Sequence, residues 1–231
     1  MNFSIIIPIY NESKNIVSLI NEIIFNLDDL NFPYEIILID DCSTDDLREN
    51  LLRNNLLNKI TLHRNNTNKG QSFSLYFGIT KSKYENIISI DGDGQNDPAD
   101  IPKLIEIYTN FNNYYLVGGI REKRKDSIIK ILSSKIANYI RSKILNDNCL
   151  DTGCSLKVFK KKVFLNFDFF DGIHRFLPAL YSGSGYDTFF INVNHRRRLH
   201  GLSKYGTLKR LIHGIRDMIK VKIMINKIKN Q

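Results

Sequence analysis

The sequence predicts an α/β fold, a doubly wound and mostly parallel central sheet flanked by helices. Three observations predict it. Short apolar runs alternate with segments of helical periodicity through the first half of the chain. Each of three such runs ends abruptly in a polar cluster: Tyr10-Asn11-Glu12, Asp40-Asp41 and Asp91-Gly92-Asp93. The 231 residues are 42% hydrophobic and 25% charged, enough to bury the core of one such domain.

The elements follow in order. Residues 3–7 (FSIII) read as a buried strand stopped by Pro8. Asn11 or Ser13 is expected to cap a helix whose apolar face is Ile16, Leu19, Ile20, Ile23, Ile24 and Leu27. A second strand covers 35–39 (EIILI), and a helix runs from Asp45 to about Leu57. A third strand is expected at 60–62, a helix from Lys69-Gly70-Gln71-Ser72 to Lys81, and a strand over 86–90. Pro98 suits the first turn of a helix reaching Asn110. The second half is less regular. It carries strands at 114–119, 156–159 and 188–193, and a helix over 127–145 with Ile128, Ile131, Leu132, Ile136, Tyr139 and Ile140 on one side.

In a doubly wound sheet ligands bind outside the carboxyl ends of the strands. The three polar clusters should therefore meet at one edge. Asp91-x-Asp93 after a strand is also an ordinary turn composition, but two carboxylates one residue apart suit a hard divalent cation. Helix capping is the plain alternative for Asp40 and Asp41.

Charge is uneven. The net charge is +9, yet residues 195–231 hold eleven Lys/Arg and one acid, so the rest sums to −1. In the tail, Leu208, Leu211, Ile212, Ile215, Met218 and Ile219 fall at helical spacing, with Lys209, Arg210, Arg216 and Lys220 mostly elsewhere on the wheel. That pattern is a basic amphipathic helix suited to an anionic membrane surface, with packing on the body as the alternative. The division expected is 1–206 as the catalytic domain and 207–231 as this helix. No apolar run reaches the length of a membrane span, and no signal peptide is expected. Cys42, Cys149 and Cys154 read as reduced thiols.

Seven segments, in order, resemble glycosyltransferase family 2 of the GT-A fold, and more narrowly the dolichyl- or polyprenyl-phosphate sugar transferases (dolichol-phosphate mannosyltransferase-like). They are IIIPIYNES (5–13), EIILIDDCSTD (35–45), NKGQSFSLYFGI (68–79), IDGDGQNDP (90–98), DTGCSLKVFKK (151–161), HRFLPAL (174–180) and RLHGLSKYG (198–206). The resemblance implies transfer of a sugar, with inversion, from a UDP- or GDP-sugar to a lipid phosphate. It implies Mg²⁺ or Mn²⁺ on Asp91 and Asp93, with Gln95 beside them. Pro8, Tyr10 and Glu12 match positions around the base and ribose, and Ile39 and Asp41 the pair beside the base. Gly92 leaves room for a close approach. Arg121 matches an arginine facing the donor phosphates. Arg198 and Lys204 match an Arg and Lys on diphosphate or acceptor phosphate, where a planar guanidinium binds bidentately and an ammonium acts as a point charge. Lys135 falls where relatives often carry Arg for the acceptor phosphate.

An anionic acceptor needs positioning more than deprotonation, which fits a sequence rich in phosphate-binding cations and poor in bases. His174 is either a base or a structural residue, and Cys154 packs or lines the sugar pocket. An alternative acceptor, a sugar hydroxyl of a cell-envelope polysaccharide or glycolipid, would need a base, with Asp171 as candidate. A sugar-nucleotide nucleotidyltransferase would carry a Gly-rich basic loop after the first strand, which Pro8-Ile9-Tyr10-Asn11-Glu12 is not. A nucleic-acid-binding protein is disfavoured by the neutral body and the carboxylate clusters. The expected location is cytoplasmic, peripheral on the inner face of the membrane, held by lipid, a membrane-protein partner or a second copy of the chain.

Overall fold

The structure, a computed structural model, describes residues 1–110, 114–122, 139–198 and 207–229. Its elements are β1 (Phe3–Ile9), α1 (Ser13–Leu27), β2 (Tyr34–Asp40), α2 (Leu47–Arg53), β3 (Thr61–Arg64), α3 (Gln71–Lys81) and β4 (Asn86–Ser89). A 3₁₀ turn (Pro98–Asp100) leads into α4 (Ile101–Asn110), followed by β5 (Tyr114–Arg121) and α5, helical over 139–145. The chain then forms β6 (Lys157–Lys160), α6 (Lys161–Leu165), α7 (Ile173–Gly183), β7 (Asp187–Val193) and α8 (Thr207–Lys229).

One seven-stranded sheet has the order β3-β2-β1-β4-β6-β5-β7. β6 runs antiparallel to β4 and β5, and the other pairings are parallel. The central parallel strands β1 and β2 are nearly all apolar because both faces are covered. Alternation along them feeds two cores. Ile5, Ile7, Ile9, Ile36 and Leu38 pack with α1, α2 and α4. Ile6, Ile37 and Ile39 pack on the opposite face with residues of α3, α6, α7 and α8. Each of these fully buried Ile or Leu side chains contributes roughly 1.5–3 kcal/mol relative to exposure.

Local outcomes differ from expectation in four places. First, α2 stops at Arg53 rather than Leu57, because Asn55 turns left-handed (φ 53°) and the Leu56 amide folds back to Leu51 O, burying Leu56. Second, α6 and α7 are additional helices. α7 tolerates its internal Pro178 while burying Ile173, Phe176, Leu177, Ala179, Leu180 and Tyr181 in the second core. Third, Tyr139 and Ile140 on α5 are exposed, and the buried residues there are Arg141 and Leu145; residues 127–138 lie outside the described ones. Fourth, the buried stripe of α8 is Met218, Val221 and Ile225, packed toward α7, with Ile225 lying against Gly183. Ile215 and Ile219, expected on the same apolar face as Met218, are exposed together with Ile223. Leu208, Leu211 and Ile212 lie where only the helix backbone is described.

Candidate active site

The strand register sets the site. Ile9 pairs with Asp40, the Asp41 amide donates to Ile9 O, and the Ile90 amide donates to Ile6 O. The loops after β1, β2 and β4 therefore leave the sheet at one level and one edge, as the sequence predicted.

The first two loops are bolted together. Asn11 takes a left-handed φ of 56°; its amide donates to Ser43 Oγ (2.9 Å) and its Oδ1 accepts from the Thr44 amide (2.7 Å). The expected cap of α1 by Asn11 or Ser13 is not what forms. Asp45 crosses from the second loop and accepts from the Ser13 amide (2.9 Å), while Ser13 Oγ donates to Asp46 (2.7 Å). A cap supplied from another loop satisfies the same orphan amides and fixes the loops to each other.

Neither Asp40 nor Asp41 caps α2, whose N-cap residue is Asp46. Asp40 accepts from the Ser43 amide (2.8 Å) and from Arg64 Nη1 (2.9 Å). Buried Asp41 accepts from Asn65 Nδ2 (2.8 Å) and from the amides of Lys69 (2.8 Å) and Gly70 (2.7 Å). It thus holds the turn that opens α3. The side chain of Ile39, a residue expected beside the base, lies on the α3 face of β2 and is fully buried in the core. Pro8 and Tyr10 are partly exposed at the end of β1.

The third loop carries the carboxylates. The Asp91 amide is held by Ser155 Oγ (3.1 Å), and its Oδ1 accepts from Gln71 Nε2 (2.6 Å) at the start of α3. Burial, then the neighbouring Asp93, pushes the Asp91 carboxyl up to about 6, against the opposing pull of Ser155, Lys157 and Arg121. Asp93 Oδ1 accepts from the Gln95 amide (3.1 Å), and Arg198 Nη1 lies 4.0 Å from its Oδ2. Gln95 O accepts from the Arg196 amide (2.9 Å), which ties the loop to the segment after β7. The room at Gly92 is taken by the protein itself. A Cβ there would sit 2.2 Å from Ile9 Cγ2, so the loop closes tightly on β1. Gly92→Ala is expected to cost about 1–3 kcal/mol by overpacking and to displace both carboxylates; urea unfolding would measure it.

Two arginines are fixed at this edge. Arg121, at the end of β5, forms a fork with Asp151: Nε to Oδ2 at 2.7 Å and Nη2 to Oδ1 at 2.8 Å. The guanidinium lies over Gly153, where a Cβ would be 2.7 Å from Nη2. Arg198 pairs with Glu12 and approaches Asp93. Lys135 and Lys204 lie outside the described residues. His174 is a structural residue here. Its Nδ1 bonds Ser72 Oγ (2.7 Å), which also accepts from the Gly172 amide (2.7 Å). Burial, then Arg175 and Lys157, pushes its pKa down to about 3, so the ring is neutral and a weak base. Asp171 is exposed in the loop before α7.

A divalent cation fits this donor set. Two acidic oxygen donors share one tight loop, and burial plus mutual repulsion leaves Asp91 short of compensating charge. Among the described residues no cluster of three or more Cys, His, Asp or Glu completes a cage.

The family described as Glycosyl transferase family 2 matches residues 4–167, which span the first six strands and all three loops. The chain belongs to glycosyltransferase family 2. Two curated members resemble it along most of its length. One is the undecaprenyl-phosphate 4-deoxy-4-formamido-L-arabinose transferase of Edwardsiella ictaluri, 32% identical over 220 residues, covering 94% of this chain and 66% of that protein. The other is the dodecaprenyl-phosphate galacturonate synthase of Rhizobium johnstonii, 32% identical over 229 residues, covering 96% and 66%. The chain thus spans just under two thirds of these relatives' length. Among solved structures, glucosyl-3-phosphoglycerate synthase from Mycobacterium tuberculosis, in complex with Mn²⁺, UDP and glucosyl-3-phosphoglycerate, matches with a TM-score of 0.72 at 16% identity, covering 97% of this chain and 79% of that one. At that identity the likeness is one of fold, and the fold is GT-A.

Sequence reasoning left several of this family-2 chain's site residues without a role. Asp151, Gln71, Ser155 and Asp45 all sit inside segments that carry the resemblance, yet each acts on a partner far along the chain. The available signal for Asp151 was chemical: a buried arginine at a strand end requires a counter-charge.

Proposed function

We propose that the protein is an inverting glycosyltransferase that moves a sugar from a nucleotide-diphosphate sugar to a polyprenyl or dolichyl phosphate at a membrane surface. The observation that carries this reading is the meeting of two carboxylates and two fixed guanidiniums at one sheet edge. Asp93 faces Arg198, and the charge of Arg121 is felt at Asp91. The names of the curated relatives support the lipid-phosphate acceptor.

In this reading Asp91 and Asp93 would hold a divalent cation, Mg²⁺ or Mn²⁺, with Gln95 beside them. A cation bound there supplies electrostatic stabilisation to the leaving diphosphate. Arg121 and Arg198 take phosphate oxygens, the geometry for which a planar fork is suited. Glu12, Tyr10, Pro8 and Asp41 shape the base and ribose end. The acceptor phosphate is already anionic, so the site positions it without a general base, with Lys204 and Lys135 assigned to it. Neutral, weakly basic His174 is consistent with that chemistry.

Membrane attachment is assigned to α8. Arg216, Lys220, Lys222 and Lys227 are exposed on it beside Ile215, Ile219 and Ile223. Each cation near an anionic surface contributes about 1 kcal/mol. No described helix is long and apolar enough to cross a membrane; the reading places the protein peripherally on the cytoplasmic face through α8.

A thermal-shift panel of UDP- and GDP-sugars with and without Mn²⁺ tests the donor. One nucleotide class should stabilise the protein by about 2.7 kcal/mol at a hundredfold excess over Kd, and only with the metal. If no sugar nucleotide shifts the melting temperature, the reading fails.

The metal effect should depend on pH. In the cation-free fold Asp91 titrates near 6 against an ordinary 3.8, so protonation is what favours the folded state. This group's contribution to stability is complete below about pH 4 and is lost as pH rises through about 6. The Mn²⁺-induced rise in melting temperature should therefore be small at pH 5 and full above pH 7. Asp91→Asn should flatten the cation-free profile, and an unchanged profile in that variant would assign the titration elsewhere.

A further inference from the structure

Arg198 joins two loops of the site. Its Nη2 is bonded by Glu12, from the loop after β1, and its Nη1 lies 4.0 Å from Asp93 Oδ2, from the loop after β4. All three side chains are largely buried, at 20% exposure for Arg198, 8% for Glu12 and 19% for Asp93. A guanidinium in this position holds the charge compensation that a cation on Asp93 would otherwise provide.

The three residues are unequally committed to the arrangement. Glu12 has other support. Its Oε2 accepts from Asn15 Nδ2 (2.7 Å), and it is the N-cap residue of the fifteen-residue α1, whose N-terminal dipole favours a negative charge. Among the described residues Asp93 has the Gln95 amide on Oδ1 as its other partner, and its Oδ2 faces the arginine. Arg198 itself follows a fixed point. The Arg196 amide is bonded to Gln95 O and its side chain to Glu22 and Asp97, while His195 bridges to Asn96. Movement of Arg198 therefore starts two residues beyond an anchor on the carboxylate loop itself.

We propose that Glu12 and Asp93 hold Arg198 as a latch across the donor site, and that a nucleoside diphosphate arriving with its divalent cation exchanges the partners. The guanidinium passes to phosphate oxygens, Asp93 passes to the cation, and Glu12 falls back on Asn15 and the α1 N-terminus. No buried carboxylate is orphaned at any stage, which is the condition for such an exchange to be reversible. Two consequences follow. The cation alone binds weakly, because it competes with Arg198 for Asp93. The cation and the diphosphate bind cooperatively, each removing the obstacle to the other, and by linkage the coupling is reciprocal. The inference rests on the reading of this edge as a nucleotide-sugar site.

The test compares the full chain with Arg198→Met and Arg198→Lys, using calorimetry and Mn²⁺ electron paramagnetic resonance. Mn²⁺ alone should bind Arg198→Met about tenfold more tightly than the wild type, since a like charge about 4 Å from the site is gone. UDP or GDP in the presence of Mn²⁺ should bind that variant about tenfold more weakly, for loss of a charge-assisted phosphate contact. Arg198→Lys, which keeps the charge, should leave the affinity for Mn²⁺ alone within about threefold of wild type. A residue that merely contacts phosphate would weaken the nucleotide and leave Mn²⁺ alone unchanged, and that result overturns the latch. Should Arg198→Met not fold, the wild type decides: Mn²⁺ and nucleoside diphosphate binding independently of each other would overturn it equally. If neither UDP nor GDP binds the wild type, the donor reading fails, and the effect of Arg198→Met on Mn²⁺ alone still decides the latch.

Discussion

Replacing Asp93 with alanine is expected to lower sugar transfer by about 10³-fold or more and to erase the metal-dependent part of nucleotide binding, with little loss of fold stability. The asymmetry between the two carboxylates is the reason. Asp91 is committed to the structure: its amide is held by Ser155 and its Oδ1 by Gln71, so its removal disturbs the start of α3 as well as the site. Asp93 is bonded by the Gln95 amide alone on Oδ1, and its Oδ2 is turned to Arg198. It is also one of the two causes that hold the Asp91 carboxyl up near 6. Removing it relieves that repulsion, so the cation-free variant should melt within a few degrees of wild type while its Mn²⁺ response disappears. Radiolabelled transfer to a short polyprenyl phosphate, alongside thermal shift with and without Mn²⁺, reads both halves. Transfer within tenfold of wild type would remove Asp93 from the mechanism.

The convergence of the three loops was legible because it follows from local signals. Apolar runs stopped by polar clusters give strand ends, and the doubly wound topology sends those ends to one edge. The roles of single residues at that edge were less legible wherever the deciding partner lies far along the chain. Asp41 reads as a ligand or a cap, but its oxygens are taken by the amides of Lys69 and Gly70. Nothing within a local window says that the start of α3 returns there. Ile39 is a different case. Strand alternation alone places its side chain with Ile37 on the α3 face, so its burial was available from period-two reasoning. α7 was not expected from the sequence, although it buries six apolar residues in the second core. Gly92 was read as room for a close approach, and in the fold Ile9 occupies that space.

Removing the carboxylate of Asp151 should damage the protein twice, through stability and through Arg121. The pair is buried, with side-chain exposures of 16% for Arg121 and 6% for Asp151, and it is bidentate, with the Arg121 amide adding a third bond to Oδ2 at 3.2 Å. Breaking such a pair from one side leaves an uncompensated buried charge and costs about 3–5 kcal/mol. Asp151→Asn keeps the volume and one acceptor but loses the charge and the symmetry of the fork. The guanidinium then lacks its second anchor over Gly153, and transfer should fall by about 10²-fold, in the range of a lost transition-state donor. A double-mutant cycle separates the two effects. If Asp151 acts on the reaction only by aiming Arg121, then Asp151→Asn combined with Arg121→Met should transfer no more slowly than Arg121→Met alone. The stability of the double variant should exceed that of either single one, because no unpaired buried charge remains. Losses of transfer that multiply instead would mean that Asp151 meets the substrates itself, and the carboxylate that this structure gives to Arg121 would have to be shared with the donor or the acceptor.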